Sequence, residues 1–418
     1  MRILILSINY WPEVTGIGAF TTYRAEYLAA AGHDVEVCTT FPYYPDWKVQ
    51  KEYAGRWALT EKRNGVRIVR SRCYVPYPVT SIRRILHEAS FIAAAAIRAL
   101  LRKRPDLLLV VSPPLGLAVP AILFSRLWRV PYVFDVEDLQ PDSAADLGML
   151  PRWAVRLLYR LEHAAYRHAS RITTLTPCMK ARIAAKGFAE EKIRLIEPRM
   201  DMSLVELTRA EADAFRRKFG LGEKFLVVHS GNMGIKQGLD VMVDAAALAR
   251  ADSGLLFLCV GAGADRQRIE RRAAALHLSN LRFLPLLDEQ DFRGLLASSG
   301  ICLVTQQQSV AEIVFPSKIV TYLAAGRPVV ASVHPACEVA RVILESGAGK
   351  VAEAENPVAL LDAIRALQCE DVQTIAENAR QYARARWSPE RVMGELERCL
   401  LTASGCGAHE FAAKGVQL

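Results

Sequence analysis

A chain of 418 residues exceeds one ordinary hydrophobic core and predicts two domains of about 200 residues each. Its 51% hydrophobic and 23% charged residues exclude a disordered polymer. Nine scattered cysteines, an odd number with no CxxC, argue against a disulfide framework or zinc site and for a reduced cytosolic compartment. The charge is uneven, with 29 Lys and Arg against 18 Asp and Glu in residues 1–200 and near neutrality beyond. That excess predicts an anionic membrane surface or phosphate-bearing partner for the first half, or a solvated basic face; no nucleic-acid motif accompanies it.

The chain opens on an apolar run, residues 2–8, and meets Asn9 and Pro12 at once, unlike a signal peptide. A glycine loop, Gly16-Ile-Gly18, leads into a helical run from Ala19 to Ala31. Strands are then predicted at 34–39, 66–71, 107–111, 131–135 and 171–175, with helical patterns between most of them. Between Arg83 and Arg104 lies an apolar segment too short to span a bilayer, flanked by Arg83, Arg84, Arg102, Lys103 and Arg104. It reads either as an interfacial helix or as a helix packed on the sheet with basic ends.

The strand pattern of the first half ends at 193–196, which puts a boundary between Glu197-Pro198 and Thr208. The predicted division is 1–200, 201–385 and a terminal helix and tail over 386–418. A second strand–glycine–helix unit follows: Phe225–Ser230, then Gly231-Asn-Met-Gly234, then a helix over 238–250. Strands at 255–260, 281–284, 300–304 and 328–331 alternate with helices near 264–276, 288–297 and 317–325. Such alternation calls for parallel sheets covered on both faces, hence two doubly wound α/β domains. A glycine turn between strand and helix lets the backbone approach an anionic ligand, and two of them suggest paired nucleotide-type domains.

Two motifs carry chemistry. In Phe315-Pro-Ser-Lys-Ile-Val-Thr-Tyr-Leu-Ala-Ala-Gly-Arg-Pro-Val-Val330, Pro316-Ser317 reads as a helix start, so Ser317 and Lys318 fall on its first turn, where hydroxyl and cation can meet a diphosphate. The acidic run Asp135-Val-Glu-Asp138 places Asp135 and Glu137 on one strand face. A divalent ion is geometrically possible there; hydrogen bonding to sugar hydroxyls by Glu137 or Asp138, or capping of the next helix, are the other readings.

Along almost its whole length the chain resembles the GT-B nucleotide-sugar glycosyltransferases of family 4. The resemblance rests on Gly16-Ile-Gly18, on Leu28-Ala-Ala-Ala-Gly-His-Asp-Val-Glu-Val37, on Ser230-Gly-Asn-Met-Gly-Ile-Lys-Gln-Gly238 and on Val260-Gly-Ala-Gly263. Ala324-Ala-Gly-Arg-Pro-Val-Val330 matches the family's most characteristic string, and Arg386-Trp-Ser388 is similar to the lead-in to its terminal helix, which crosses back to the first domain. Asn9-Tyr-Trp-Pro-Glu-Val-Thr-Gly16 and Pro42-Tyr-Tyr-Pro45 resemble a subgroup acting on fucose-type sugars in bacterial exopolysaccharide and O-antigen assembly.

The resemblance implies a GT-B pair of domains facing a cleft, with the nucleotide-sugar donor held by the second. Implied donor contacts are Gly16, Gly18, Ser230, Gly231, Asn232, Gln237, Gly261, Ser317 and Thr321. Lys318 and Lys236 would stabilise the leaving diphosphate, with Glu137 and Asp138 as further catalytic candidates and neither metal nor cofactor. A polyprenyl-diphosphate-linked saccharide would be the acceptor, at the cytoplasmic face of the bacterial inner membrane. Departures are plain. Thr321 stands where the family often has a second glutamate, whose partner would be near Glu312 or Ile313. Asn232 and Gln237 replace its arginine and lysine, and Glu137 replaces a histidine. A GT-B epimerase, or an idle membrane partner of another transferase, remains the alternative.

Overall fold

The computed structural model describes residues 1–13, 16–146, 150–308 and 317–405. Contacts divide the chain into two compact units, Met1–Glu197 with the segment from Met393 onward, and Pro198–Val392. The first unit runs β1 (Arg2–Leu6), α1 (Gly16–Ala30), β2 (Asp34–Thr40), β3 (Ala58–Arg63), β4 (Val66–Ser71), α2 (Ser81–Leu100), β5 (Leu107–Ser112), α3 (Ala118–Trp128), β6 (Tyr132–Val136), α4 (Gln140–Asp146), α5 (Arg152–His168), β7 (Arg171–Thr174), α6 (Pro177–Ala185) and β8 (Ile193–Leu195). Its sheet has the order β3-β4-β2-β1-β5-β6-β7-β8, parallel except for β3. Central β5, Leu-Leu-Leu-Val-Val-Ser, is buried at every position, as a strand covered on both faces must be. Leu4, Leu6, Leu108 and Val110 share one core with Phe91 of α2, Phe124 of α3 and Tyr166 of α5, so those three helices cover the same sheet face.

In the second unit follow α7 (Arg209–Phe219), β9 (Phe225–Asn232), α8 (Asp240–Leu248), β10 (Leu255–Ala262), α9 (Arg266–Ala275), β11 (Leu281–Leu284), α10 (Glu289–Ser298), β12 (Ile301–Thr305), α11 (Lys318–Ala324), β13 (Val329–Val333), α12 (Glu338–Ser346), β14 (Gly349–Glu353), α13 (Pro357–Gln368) and α14 (Val372–Trp387). Six parallel strands lie in the order β11-β10-β9-β12-β13-β14. The boundary helix α7 is fixed by a capping box between Thr208 and Glu211. The last helix, α15 (Pro389–Ser404), begins three residues after position 386, because Arg386 and Trp387 still close α14. Trp387 is fully buried there and Arg386 pairs with Glu338.

Two strands have no counterpart in the sequence reading. Strand β3 is an exposed antiparallel edge whose alternation is polar, and the Asn64-Gly65 turn that joins it to β4 has positive φ at both residues. Strand β14 is a short, half-buried edge paired only to β13. The Arg83–Arg104 segment forms α2, capped by Thr80, with His87, Phe91, Ala95 and Ala99 on its buried face. Arg102 grips Glu36 through two hydrogen bonds of 2.6 and 2.8 Å, and Arg84 pairs with Glu88 at 3.2 Å. No helix among the described residues is long and apolar enough to cross a membrane.

Candidate active site

Parallel sheets present ligand-binding loops at the carboxyl ends of their strands. In the second unit, β9 ends with Ser230, Gly231 and Asn232, in register with Val260, Gly261 and Ala262 of β10. Gly231 and Gly261 have φ of +116° and +135°. A Cβ on Gly261 would fall 2.0 Å from the Gly231 carbonyl oxygen, so Gly261 lets two strand ends close on each other.

Helix α11 brings two side chains to this spot, one turn apart and therefore on one face. The Tyr322 hydroxyl accepts the Ser230 N–H at 3.0 Å and shares a 2.9 Å bond with Ser230 Oγ, tying the helix to the end of β9. Lys318 extends its Nζ to 3.4 Å from His229 Nε2, and a Cβ built on Gly231 would sit 3.9 Å from that Nζ. Burial, reinforced by the charge of Lys318, holds the His229 imidazole well below its ordinary pKa, so it is neutral and can accept from an ammonium. Burial also lowers the Lys318 ammonium to about 8. The thiols of Cys259 and Cys302 beside it are pushed up to about 12 by burial and offer no negative charge at neutral pH. Among the described residues no carboxylate pairs with Lys318.

The remaining sequence candidates in this unit divide. Lys236 lies in the short turn Ile235–Gln237, half-buried, its carbonyl accepting the Gln307 N–H at 3.0 Å. Gln237 turns back to accept the Gly234 N–H at 3.0 Å, so its side chain shapes the loop. Asn232 is exposed at the strand end, and Thr321 is half-buried on α11. Ser317 stands at the start of the seven-residue α11, already in helical conformation, and makes no capping bond with its side chain. Glu312, Ile313 and Pro316 lie outside the described residues.

In the first unit, Gly16 opens α1 with φ +61°, and Gly18 packs on Glu13, where a Cβ would come within 3.0 Å of the Glu13 Cβ. Glu13 is buried. Its carboxylate accepts the N–H groups of Tyr43 and Tyr44, each at 2.9 Å, and Asn9 Nδ2 at 2.7 Å, and burial raises its pKa against those bonds. Helix α1 sends Arg24 from its buried stripe to the end of β6, where the guanidinium donates to Asp135 at 2.5 Å and to Glu137. Thr173 donates to the other Asp135 oxygen at 2.7 Å. Burial raises the Glu137 pKa, and Arg24 opposes the shift. The position between the two carboxylates is thus filled by a guanidinium, in place of the divalent ion that the sequence allowed. Asp138 accepts from Ser143 at 3.2 Å, at the turn into α4. Farther along the same sheet edge, beyond β2 and β4, lies a cavity of about 600 Å³ lined by Phe41, Tyr53, Arg56, Trp57, Arg72 and Tyr74.

Comparison with known proteins places these features. Residues 15–199 match the glycosyl transferase 4-like domain, and residues 224–370 match the glycosyl transferases group 1. Escherichia coli K12 WcaI, assigned to colanic acid biosynthesis as a glycosyl transferase, is 30% identical over 95% of this chain and 98% of its own. The chain belongs to the GT-B glycosyltransferases of family 4. Among solved structures, Anabaena HepE in complex with UDP superposes on this glycosyltransferase with a TM-score of 0.72 at 17% identity, over 96% of this chain and 100% of that one. WaaG, a glycosyltransferase involved in lipopolysaccharide biosynthesis, gives 0.69 at 18% identity, over 95% and 99%.

Four residues of this glycosyltransferase escaped the sequence reading: Arg24, Glu13, His229 and Tyr322. Arg24 had a signal. It stands with Thr21, Ala25 and Leu28 on the buried stripe of α1, and an arginine there requires an acid. His229 sits inside an apolar strand and Tyr322 inside an apolar helix, and only the fold shows what each meets.

Proposed function

We propose that this glycosyltransferase is a metal-independent, retaining hexosyltransferase. It would move a sugar from a nucleotide-sugar donor to a polyprenyl-diphosphate-linked saccharide in bacterial exopolysaccharide or O-antigen assembly. The observation that carries the reading is Lys318, a half-buried cation with no carboxylate among the described residues, held beside the glycine ends of β9 and β10. A half-buried cation kept in this way is preorganised for an anion. As the glycosidic C–O bond breaks, charge grows on the leaving diphosphate, and Lys318 with Lys236 would stabilise it. Kinship to WcaI and likeness of fold to the UDP complex of HepE support a nucleotide-sugar donor. Retention of configuration rests on kinship alone.

The first unit would take the acceptor. Its basic surface suits a lipid-linked diphosphate, and the cavity beyond β2 and β4 combines Arg56 and Arg72 with aromatic faces on which sugar rings pack. Glu137, fixed by Arg24, would orient a hydroxyl, with Asp138 at the adjoining turn. Such an acceptor places the enzyme at the cytoplasmic face of the inner membrane, where Arg83 and the basic end of α2 would meet anionic headgroups. Incubation with a panel of GDP- and UDP-sugars and a lipid-diphosphate saccharide should transfer sugar from one donor. Interconversion of free sugar nucleotides without acceptor would indicate an epimerase, and neither reaction an idle partner.

A further inference from the structure

Surface helices of water-soluble domains turn a polar face outward. In the first unit α2 and α3 instead turn apolar stripes outward, and α5 exposes two large apolar side chains among its arginines. On α2 the face opposite Phe91 and Ala95 carries Ile82, Leu86, Ala89, Ala93, Ile97 and Leu100 at successive steps of three or four residues, all exposed, with no polar side chain among them. On α3 the outward stripe is Val119, Leu123 and Leu127, each 57–61% exposed. On α5, Trp153 is 70% and Leu157 59% exposed, one turn apart. All three helices cover the same sheet face, joined through the turn Leu115–Leu117, so the stripes belong to one helical layer.

The exposed charges of these three helices have one sign. Exposed Arg83, Arg126, Arg152, Arg156 and Arg160 flank the stripes. The three helices contain only two acidic residues. Glu88 pairs with Arg84, and Glu162 is buried and bound to Lys186 at 2.7 Å, which also holds Asp142 of α4. An apolar face ringed by cations without free acids matches the boundary of an anionic bilayer, where acyl chains meet phosphate headgroups.

From this we infer that the outer face of α2, α3 and α5 is the lipid-facing surface of the enzyme, with Leu123, Leu127, Trp153 and Leu157 inserted among the acyl chains of an anionic leaflet. The inference rests on the membrane location proposed above but assigns the contact to α3 and α5, beyond the basic ends of α2. The protein would be floated with phosphatidylcholine vesicles containing phosphatidylglycerol, and with phosphatidylcholine vesicles alone. Wild type should float with the anionic vesicles. The combined Leu123→Ser, Leu127→Ser, Trp153→Ser and Leu157→Ser variant should lose association by about tenfold or more, with transfer to a short soluble acceptor unchanged.

Brominated acyl chains should quench wild-type tryptophan emission, and Trp153→Phe should remove most of that quenching while the protein still floats. If the fourfold variant floats like wild type and Trp153→Phe leaves quenching unaltered, the inference is wrong and the membrane location stands on α2. If wild type never floats, the membrane location itself fails. A vesicle-free dimer that the fourfold variant converts to monomer, with no vesicle binding, would make this face a self-association surface and overturn the inference.

Discussion

Each unit carries a cation at the carboxyl edge of its sheet, and the two are treated in opposite ways. Arg24 is buried against Asp135 and Glu137, its charge balanced within the fold. Lys318 is drawn in beside a neutral histidine and two neutral thiols, and its ammonium is lowered to about 8 by the burial. A cation matched by carboxylates is already satisfied and fixes the architecture. One that is desolvated without them makes the empty site less stable and gains most when an anion arrives. On the proposed reading the same residue class would serve structure in one unit and chemistry in the other.

The largest effect should come from breaking the satisfied cluster. Arg24→Met leaves two carboxylates buried without their partner, and the expected cost is about 3–5 kcal/mol. Because burial already raises the Glu137 pKa and Arg24 opposes the shift, the folded variant should hold a proton more tightly than its unfolded chain does. Its stability is therefore best at low pH and is lost as pH rises. Urea titrations at several pH values check this; a variant as stable as wild type near pH 8 would show that the cluster is not what holds α1 to β6.

Next comes Lys318→Met, which should lower kcat by about 10²-fold. It should also raise the stability of the ligand-free protein by on the order of 1–2 kcal/mol at neutral pH, by removing a desolvated charge. The opposite signs are the sharp part of the test. A loss of stability together with activity would make Lys318 another structural cation and erase the contrast with Arg24.

A smaller effect follows from titration. As pH rises through about 8 the Lys318 ammonium of the free enzyme loses its proton, so kcat/KM should fall, approaching tenfold per unit beyond that value. Stability moves the other way: the folded pKa lies below that of the unfolded chain, so the cost of burying the charge is relieved as pH rises. In Lys318→Arg the alkaline fall should disappear or move upward. A fall that persists unchanged belongs to another group.

How much of this was legible follows from the physics of each residue. The two sheets were readable because buried parallel strands are continuous apolar runs, as in β5 and β10. Strand β3 was not, since its exposed edge has no apolar face, although Asn64-Gly65 announced the hairpin. The place of Lys318 on the first turn of α11 was legible from the helix start that Pro316-Ser317 announces, whereas the pairing of Tyr322 with Ser230 spans 92 positions and exists only once α11 docks on β9. The acidic run was seen, but its partner lies 111 residues away on α1, and without Arg24 the same carboxylates read as a metal site.

The smallest effect is expected from chelation, and it bears on that last point. Two carboxylates one strand-step apart could hold a divalent ion only if its place were open, and Arg24 donates to both. A metal would have to displace a buried guanidinium and leave it uncompensated, at a cost of several kcal/mol. If Lys318 and Lys236 supply the positive charge for the diphosphate, as proposed, EDTA should leave transfer unchanged within assay error. Activity lost on chelation and restored by Mg²⁺ or Mn²⁺ would contradict the metal-free reading. The ligand set would then be traced in Arg24→Met: metal dependence that strengthens when the guanidinium is gone would return the ion to Asp135 and Glu137, whereas unaltered dependence would place it with the donor diphosphate.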